Sequence, residues 1–323
     1  MTHFDLTVVI PLYNEDESLP ELVAWIDRVV AEHKLKTEVL LIDDGSTDNS
    51  WDVVCQLSQK FELVKGIKFQ RNYGKSGALN QGFKYALGDV VITMDADLQD
   101  SPDEIPALVS KIRDENFDVI SGWKKKRYDP ISKTIPTKLF NWVTRKFSGI
   151  YLHDFNCGLK AYKKEVIKAV EVYGEMHRYI PVLAKNEGFH KIGEMVVQHR
   201  SRKYGISKFG LERFMNGFLD LLTLSFTSKF GKKPMHFFGA FGVLMFLIGL
   251  STAGYIGAAK LWSVFHSIPK PRITNDPWFY ISLAVMIIGT QFFLVGFLGE
   301  MLVKENRNLS NYRISEKIKI PLD

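Results

Sequence analysis

Val90-Val-Ile-Thr-Met-Asp95-Ala-Asp97-Leu-Gln99-Asp100 decides how the rest of the chain is read. Its apolar, β-branched start is the pattern of a buried strand, and the carboxylates of Asp95 and Asp97 fall where that strand stops. Burying a carboxylate pair is costly unless positive charge offsets it. A hard divalent cation with oxygen ligands, shared with phosphate groups, is the natural partner. An Asp-x-Asp at a strand end therefore points to a metal-held diphosphate and a nucleotide-activated substrate. A solvated turn with acidic caps can be written with the same residues, so the surrounding pattern has to decide.

That pattern alternates. Strands are expected at residues 7–10, 38–43, 67–69 and 118–121, beside 90–94 itself. Between them apolar residues recur at helical spacing. One run covers 19–30 behind a Ser18 cap, another 51–57 behind Thr47 or Asp48, and a third 76–87 from Ser76. Ser101-Pro102 opens a fourth helix, with proline at its favoured first-turn position. The alternation predicts an α/β fold with a mostly parallel, Rossmann-like sheet covered on both faces. Ligands of such sheets bind beyond the carboxyl ends of the strands. Pro11-Leu-Tyr13-Asn-Glu15, Asp43-Asp44-Gly45-Ser46 and Asp95-Ala-Asp97 all fall there.

The C-terminal part has another character. The 323 residues are 46% hydrophobic and 24% charged, ordinary for a globular chain, but the average hides an asymmetry. Residues 234–259 and 277–299 contain no Asp, Glu, Lys or Arg, and each run can span a hydrocarbon core of ~30 Å as a helix. Two transmembrane helices are expected at about 235–259 and 278–302, with Glu300 and Lys304 as a helix-end pair. Lys229, Lys232 and Lys233 precede the first, and Lys304, Arg307, Arg313, Lys317 and Lys319 follow the second. This agrees with a cytoplasmic N-terminal part and a cytosolic basic tail at 305–323, against the opposing Lys260, Lys270 and Arg272. No signal pattern precedes the first strand, and Cys55 and Cys157 are expected as free thiols. Gly249, Ala253 and Gly257, four residues apart, predict a close-packed seam within the hairpin or between protomers.

Residues 131–147 interleave Ile131, Ile135, Leu139, Trp142, Val143 and Phe147 with Lys133, Lys138, Arg145 and Lys146, after the basic run 124–127. This reads as a basic amphipathic helix at a membrane surface. Residues 210–230 are a second candidate. The formal charge of +6 is met by an anionic bilayer and phosphate-bearing substrates, and no interleaved basic and aromatic nucleic-acid motif is present.

Ordered along the chain are Val8-Val-Ile-Pro-Leu-Tyr-Asn-Glu15, Ile42-Asp-Asp-Gly-Ser-Thr-Asp48, Arg71-Asn-Tyr-Gly-Lys-Ser-Gly-Ala78 and Met94-Asp-Ala-Asp-Leu-Gln99. The sequence resembles the family-2 glycosyltransferases of GT-A fold. Asp154-Phe-Asn-Cys-Gly-Leu-Lys-Ala-Tyr162 and Arg202-Lys-Tyr-Gly-Ile-Ser-Lys208 are similar to the polyprenyl-phosphate glycosyltransferases among them. The resemblance implies a cytosolic GT-A domain over residues 1–230, including the two surface helices, followed by the two-helix hairpin at 234–304 in an inner or plasma membrane. A homo-oligomer, a tetramer in related bacterial enzymes, is implied on the same ground.

The resemblance also implies roles. Pro11, Tyr13, Glu15 and Asp44 match positions that hold base and ribose, and Arg71 and Lys75 the loop beside the nucleotide. Gly74 and Gly77 would let that loop's backbone approach closely. Asp97, with Gln99, matches the direct contact to Mg²⁺ or Mn²⁺, and Asp95 the ribose or metal shell. Arg202 and Lys208 would add positive charge for diphosphate and acceptor phosphate, with lipid-surface anchoring as the other reading of Arg202. Asp154 either takes a proton, orients the acceptor, or caps the turn before Cys157. A lipid phosphate, with a second pKa of about 6, is nucleophilic without a strong base. Bases at Lys124 to Arg127, Lys133 and Arg145 would collect the headgroup.

The implied reaction is an inverting hexose transfer from a nucleotide sugar to polyprenyl phosphate. UDP-glucose and undecaprenyl phosphate are preferred, and GDP-mannose is the alternative. A non-catalytic membrane scaffold binding nucleotide sugar or anionic lipid is the rival of another class. A processive synthase lacks support because no Gln-x-x-Arg-Trp segment is present, and an NAD enzyme because Pro-Leu-Tyr-Asn-Glu, not Gly-x-Gly-x-x-Gly, follows the first strand.

Overall fold

The computed structural model describes residues 3–125, 131–174, 176–200, 203, 234–269 and 272–306, with the side chains of 131–139 and 303–306 outside that description. Arg202, Lys208, the helix expected at 210–230, Lys126, Arg127, the bases flanking the apolar runs at 229–233 and 307–319, and the side chains of Lys133 and Lys304 therefore lie outside the described residues. The chain divides into two compact units, residues 1–223 and 224–323.

The first unit is an α/β layer structure. Its described strands are β1 (Leu6–Leu12), β2 (Thr37–Asp43), β3 (Val64–Lys68), β4 (Val90–Thr93), β5 (Val119–Trp123), β6 (Lys160–Lys163) and β7 (Ile192–Val196). Its described helices are α1 (Leu19–Glu32), α2 (Ser50–Lys60), α3 (Lys75–Tyr85), α4 (Ile105–Arg113, entered through a 3-10 turn), α5 (Ile131–Ser148), α6 (Lys164–Ala169) and α7 (Ile180–Asn186). The sheet order is β3-β2-β1-β4-β6-β5-β7. Every pairing is parallel except those of β6, which runs antiparallel between β4 and β5.

Both faces of the sheet are covered, which is why β1, β2 and β4 are apolar almost without a break. Leu6, Val8 and Ile10 pack with α1, α2 and α4, while Val9 joins Leu40 and Ile42 under α3, α6 and α7. Each such side chain contributes about 1.5–3 kcal/mol on burial. Pro11 sits inside β1, one residue beyond the expected end. The proline is tolerated because β4 pairs only with Leu6 to Val9, leaving Pro11 beside β2 alone.

Some boundaries moved. β3 begins at Val64 and ends at Lys68, earlier than residues 67–69, and α3 stops at Tyr85, leaving Leu87 outside it. Ser18 does not cap α1 through its N–H groups. Its hydroxyl donates to the Glu15 carbonyl (3.0 Å) and carboxylate (3.3 Å). β1 and β4 mark the place where successive crossovers change direction across the sheet, so the cleft for a ligand opens between their carboxyl ends.

The second unit is two apolar helices, α8 (Pro234–Phe265) and α9 (Pro277–Asn306). Thirty-two residues extend ~48 Å, more than a bilayer core requires. They run antiparallel with backbones in close approach. A Cβ on Gly242 would lie 2.6 Å from the Gly289 carbonyl oxygen, one on Gly249 2.6 Å from that of Ser282, and one on Gly296 2.9 Å from the Gly239 nitrogen. The seam is therefore intramolecular. Gly249 belongs to it but Gly257 does not, since nothing lies within 4 Å of its Cβ position. Leu247, Ile248, Ile287 and Leu298 point outward, 51–59% exposed, as expected of side chains facing lipid.

Candidate active site

Three loops meet at the carboxyl edge. The loop after β1 is laced to the one after β2. The Asn14 N–H donates to Ser46 Oγ (2.9 Å), the Thr47 N–H to Asn14 Oδ1 (2.9 Å) and the Glu15 N–H to Ser50 Oγ (2.8 Å). Asn14 adopts φ 56°, which an asparagine tolerates better than most residues. Pro11, Tyr13 and Glu15 are consequently half-buried on a fixed turn.

Asp44 holds the third strand's loop. Its carboxylate accepts the N–H of Tyr73 (2.7 Å) and of Gly74 (2.9 Å), and burial outweighs those bonds in raising its pKa. Gly45, at φ 73°, is required because a Cβ there would lie 2.5 Å from the Arg71 backbone. The Arg71 guanidinium stacks over Tyr73 at 4.8 Å. Gly74 supplies φ 87° for the turn into α3, and that turn places Lys75 in an ion pair with Asp95. Asp44 thus latches the loop that presents Lys75, and its oxygens retain further lone pairs for a ligand N–H.

The Asp95–Gln99 turn is itself strained. Leu98 takes φ 60°, an unusual conformation for a branched side chain. Asp97 is 7% exposed and accepts the Gln99 N–H (3.2 Å). Gln99 reaches the Arg200 carbonyl at 3.5 Å, and the Arg200 N–H returns to the Gln99 carbonyl (2.9 Å), so the segment before Arg202 is drawn to the turn. Burial pushes the Asp95 carboxyl up, but Lys75, Lys124 and Lys160 together hold it below the usual range.

Two lysines emerge that the sequence did not single out for these places. Lys124, expected among surface bases, is buried against Asp100 at 2.7 Å. Burial would draw its ammonium down, yet Asp100, with Asp95 beside it, raises it. It is therefore not a headgroup collector. The basic run reads as surface only because neighbouring bases hide the inward turn of its first member. Lys160, at the start of β6, is 3% exposed and donates to the Cys157 carbonyl. Burial lowers it to about 8. Its signal was a base at the head of the four-residue run Lys160-Ala-Tyr-Lys163, too short and too basic at its ends to read as a strand. Cys55 and Cys157 are free thiols.

Because β6 is antiparallel, its beginning lies at the same edge as the ends of β1 and β4. Gly158 there is pressed against the Asp95 carboxylate, and the Thr93 hydroxyl donates to its carbonyl (2.8 Å). Asp154 lies on the approach to β6, 1% exposed, its Oδ1 accepting the Asn156 N–H (3.0 Å). The capping role is thus visible in its hydrogen bond. The site brings together Asp44, Lys75, Asp95, Asp97 and Gln99 around the loops of Tyr13 and Glu15. Asp154 stands on the β6 side.

The arrangement has relatives. Residues 7–170 match the sequence model described as Glycosyl transferase family 2. A dodecaprenyl-phosphate galacturonate synthase of Rhizobium johnstonii is 32% identical over 303 residues, 93% of this chain and 88% of that one. An undecaprenyl-phosphate 4-deoxy-4-formamido-L-arabinose transferase of Klebsiella pneumoniae is 33% identical over 296 residues, 91% of this chain and 87% of that one. Among solved structures, glucosyl-3-phosphoglycerate synthase of Mycobacterium tuberculosis with uridine diphosphate shares the fold at a TM-score of 0.55 and 16% identity, covering 70% of this chain and 80% of that one. The same enzyme with Mn²⁺, UDP-glucose and phosphoglyceric acid superposes at 0.53, with 16% identity over 70% of this chain and 79% of that one.

Proposed function

The chain belongs to glycosyl transferase family 2, and from that premise we propose that it transfers a sugar from a nucleotide sugar to a polyprenyl phosphate at a membrane surface. The observation that carries the reading is the convergence at one sheet edge of the Asp95–Asp97 turn with the Asp44-latched loop bearing Lys75. The relatives named for polyprenyl-phosphate acceptors align over most of the chain, including the two apolar helices. We assign those helices as a membrane hairpin, with the first unit on the cytoplasmic side by the lysine bias around residues 229–233 and 304–319.

The donor set suits a hard cation. Asp95, Asp97 and the Gln99 amide place oxygens within one turn, with Asp95 ion-paired to Lys75, and among the described residues no group of three or more His, Cys, Asp or Glu side chains is arranged to hold a metal ion. Such a set fits Mg²⁺ or Mn²⁺ that keeps other positions for diphosphate oxygens and water. Bound there, the cation would neutralise charge developing on the departing nucleoside diphosphate. The chain's own residues do the rest. Tyr13, Glu15 and Asp44 are proposed to grip base and ribose. Arg71 and Lys75 flank the diphosphate. The lipid phosphate oxygen attacks the anomeric carbon from the opposite side, the bond to the diphosphate breaks, and configuration inverts. The acceptor is already ionised, so Asp154 serves orientation and not proton removal. Catalysis is then mostly positioning and charge stabilisation.

The donor is proposed as UDP-activated, with UDP-glucose the first candidate and UDP-galacturonate and the formamido-arabinose donor added because relatives are named for those sugars. The test is transfer by purified protein in detergent, with undecaprenyl phosphate, Mn²⁺ or Mg²⁺ and labelled UDP- and GDP-sugars. Label entering the organic phase from one donor, and lost with EDTA, supports the reading. Nucleotide binding without transfer from any donor would count for a scaffold.

A further inference from the structure

Residues 153–156, which carry Asp154, belong to no strand or helix, so their backbone groups depend on side chains from elsewhere. The His153 N–H donates to Glu194 of β7 (2.7 Å), and the Asp154 carbonyl accepts from Ser121 of β5 (3.1 Å). The two groups that flank Asp154 go to one residue. Asn141 Nδ2 donates to the His153 carbonyl (2.9 Å), and Asn141 Oδ1 accepts the Phe155 N–H (3.2 Å). Asn141 is on α5 and 4% exposed, so water does not compete for either bond.

The same helix presents a different face outward. Trp142 and Phe147 are each 55% exposed, and Lys146 lies over the Trp142 ring at 5.8 Å. Phe140 packs inward on Tyr179, and Lys185 donates to the Ser148 carbonyl (2.7 Å), fixing the helix end. α5 is thus an aromatic and basic surface on one side and a clamp on Asp154 on the other.

We infer that Asn141 is a positioning residue: it fixes Asp154 against α5, so that the helix facing the bilayer sets the geometry with which the lipid phosphate is received. The inference rests on the functional reading above, in which Asp154 orients the acceptor. It assigns Asn141 no contact with substrate.

Asn141→Leu keeps the buried volume and removes both bonds. Asn141→Ala serves as the second variant should leucine fail to fold. In detergent–lipid mixtures, kcat/KM for undecaprenyl phosphate should fall by about 10- to 100-fold, the scale of a misplaced reacting group. Binding of UDP with Mn²⁺, measured by calorimetry without lipid, should stay within about twofold, a split that general loosening of the fold does not produce. A folded variant with unchanged acceptor kinetics overturns the inference, as does an equal loss of nucleotide affinity. If the native protein transfers sugar and the variant matches it, the inference alone fails. If the native protein transfers nothing, the functional reading fails and the inference with it.

Discussion

Gly158→Ala adds one methyl group where the two halves of the site touch. Gly158 is not among the glycines with positive φ, so its backbone accepts alanine and the obstacle is contact alone. The new Cβ would lie 2.5 Å from Asp95 Cγ and 2.7 Å from its Oδ1. Carbon atoms rest at about 3.5–4.0 Å, so the carboxylate must retreat by ~1 Å. Asp95 is short and already tied to Lys75, so that retreat also disturbs the ion pair. Overpacking of this kind costs about 1–3 kcal/mol in stability. A displacement of ~1 Å at a reacting site costs ~100-fold in rate, about 2.7 kcal/mol of barrier. The assay is kcat/KM for sugar transfer at saturating cation, with a thermal melt to show that the variant is folded. Alanine at near-native activity would refute the placement of Asp95 at the chemistry.

Asp97→Asn removes a charged donor without changing shape, and transfer should drop by about 10²–10³ while the melting point holds; retained EDTA-sensitive turnover would remove Asp97 from the metal role. Burial pushes the Cys157 thiol up to about 12, so at about pH 7.5 a maleimide should label Cys55 and leave Cys157 unmodified in the folded protein, as read by mass spectrometry of the peptides. Asp5 is held below the ordinary carboxyl range first by the Lys36 N–H (2.9 Å), against burial, and then by Arg113 (2.9 Å). Its contribution is present above the unfolded value of about 3.9 and lost as pH falls through the lower folded value, so Asp5→Asn should reduce the melting point at about pH 6 and not at about pH 2. A constant difference across that range would contradict the linkage.

The half of the sheet built on β1, β2 and β4 was legible because its signals are local. β1, β2 and β4 are apolar runs, the intervening helices carry period and breaks, and Asp-x-Asp follows its strand directly. The half around β6 and β7 was not. β6 is four residues with lysine at both ends, and β7 is a half-buried strand with a glycine, so neither shows alternation. Lys124 looked like surface charge because nothing local reveals Asp100 as its partner, 24 positions earlier. The Lys75–Asp95 pair joins residues 20 apart, and Asn141 reaches past a helix end to clamp a loop. Periodicity reports which face is buried, not which buried polar atom meets which.

The antiparallel placement of β6 also bears on the order in which the molecule is made. β1 to β4 close with short successive crossovers, and every residue they need has been synthesised by Thr93. β6 comes 67 positions after the end of β4 and must then enter beside it, with β5 pairing on its far side. Such a non-local pairing costs only about 1 kcal/mol more in loop closure than the shorter crossovers, but it forms late. On the ribosome the half built on β1 to β4 can therefore collapse while the edge of β4 still stands open, and the Asp95–Gly158 contact is sealed only when that edge is filled. Slow closure there leaves an unpaired hydrophobic strand as the segment most in need of a chaperone.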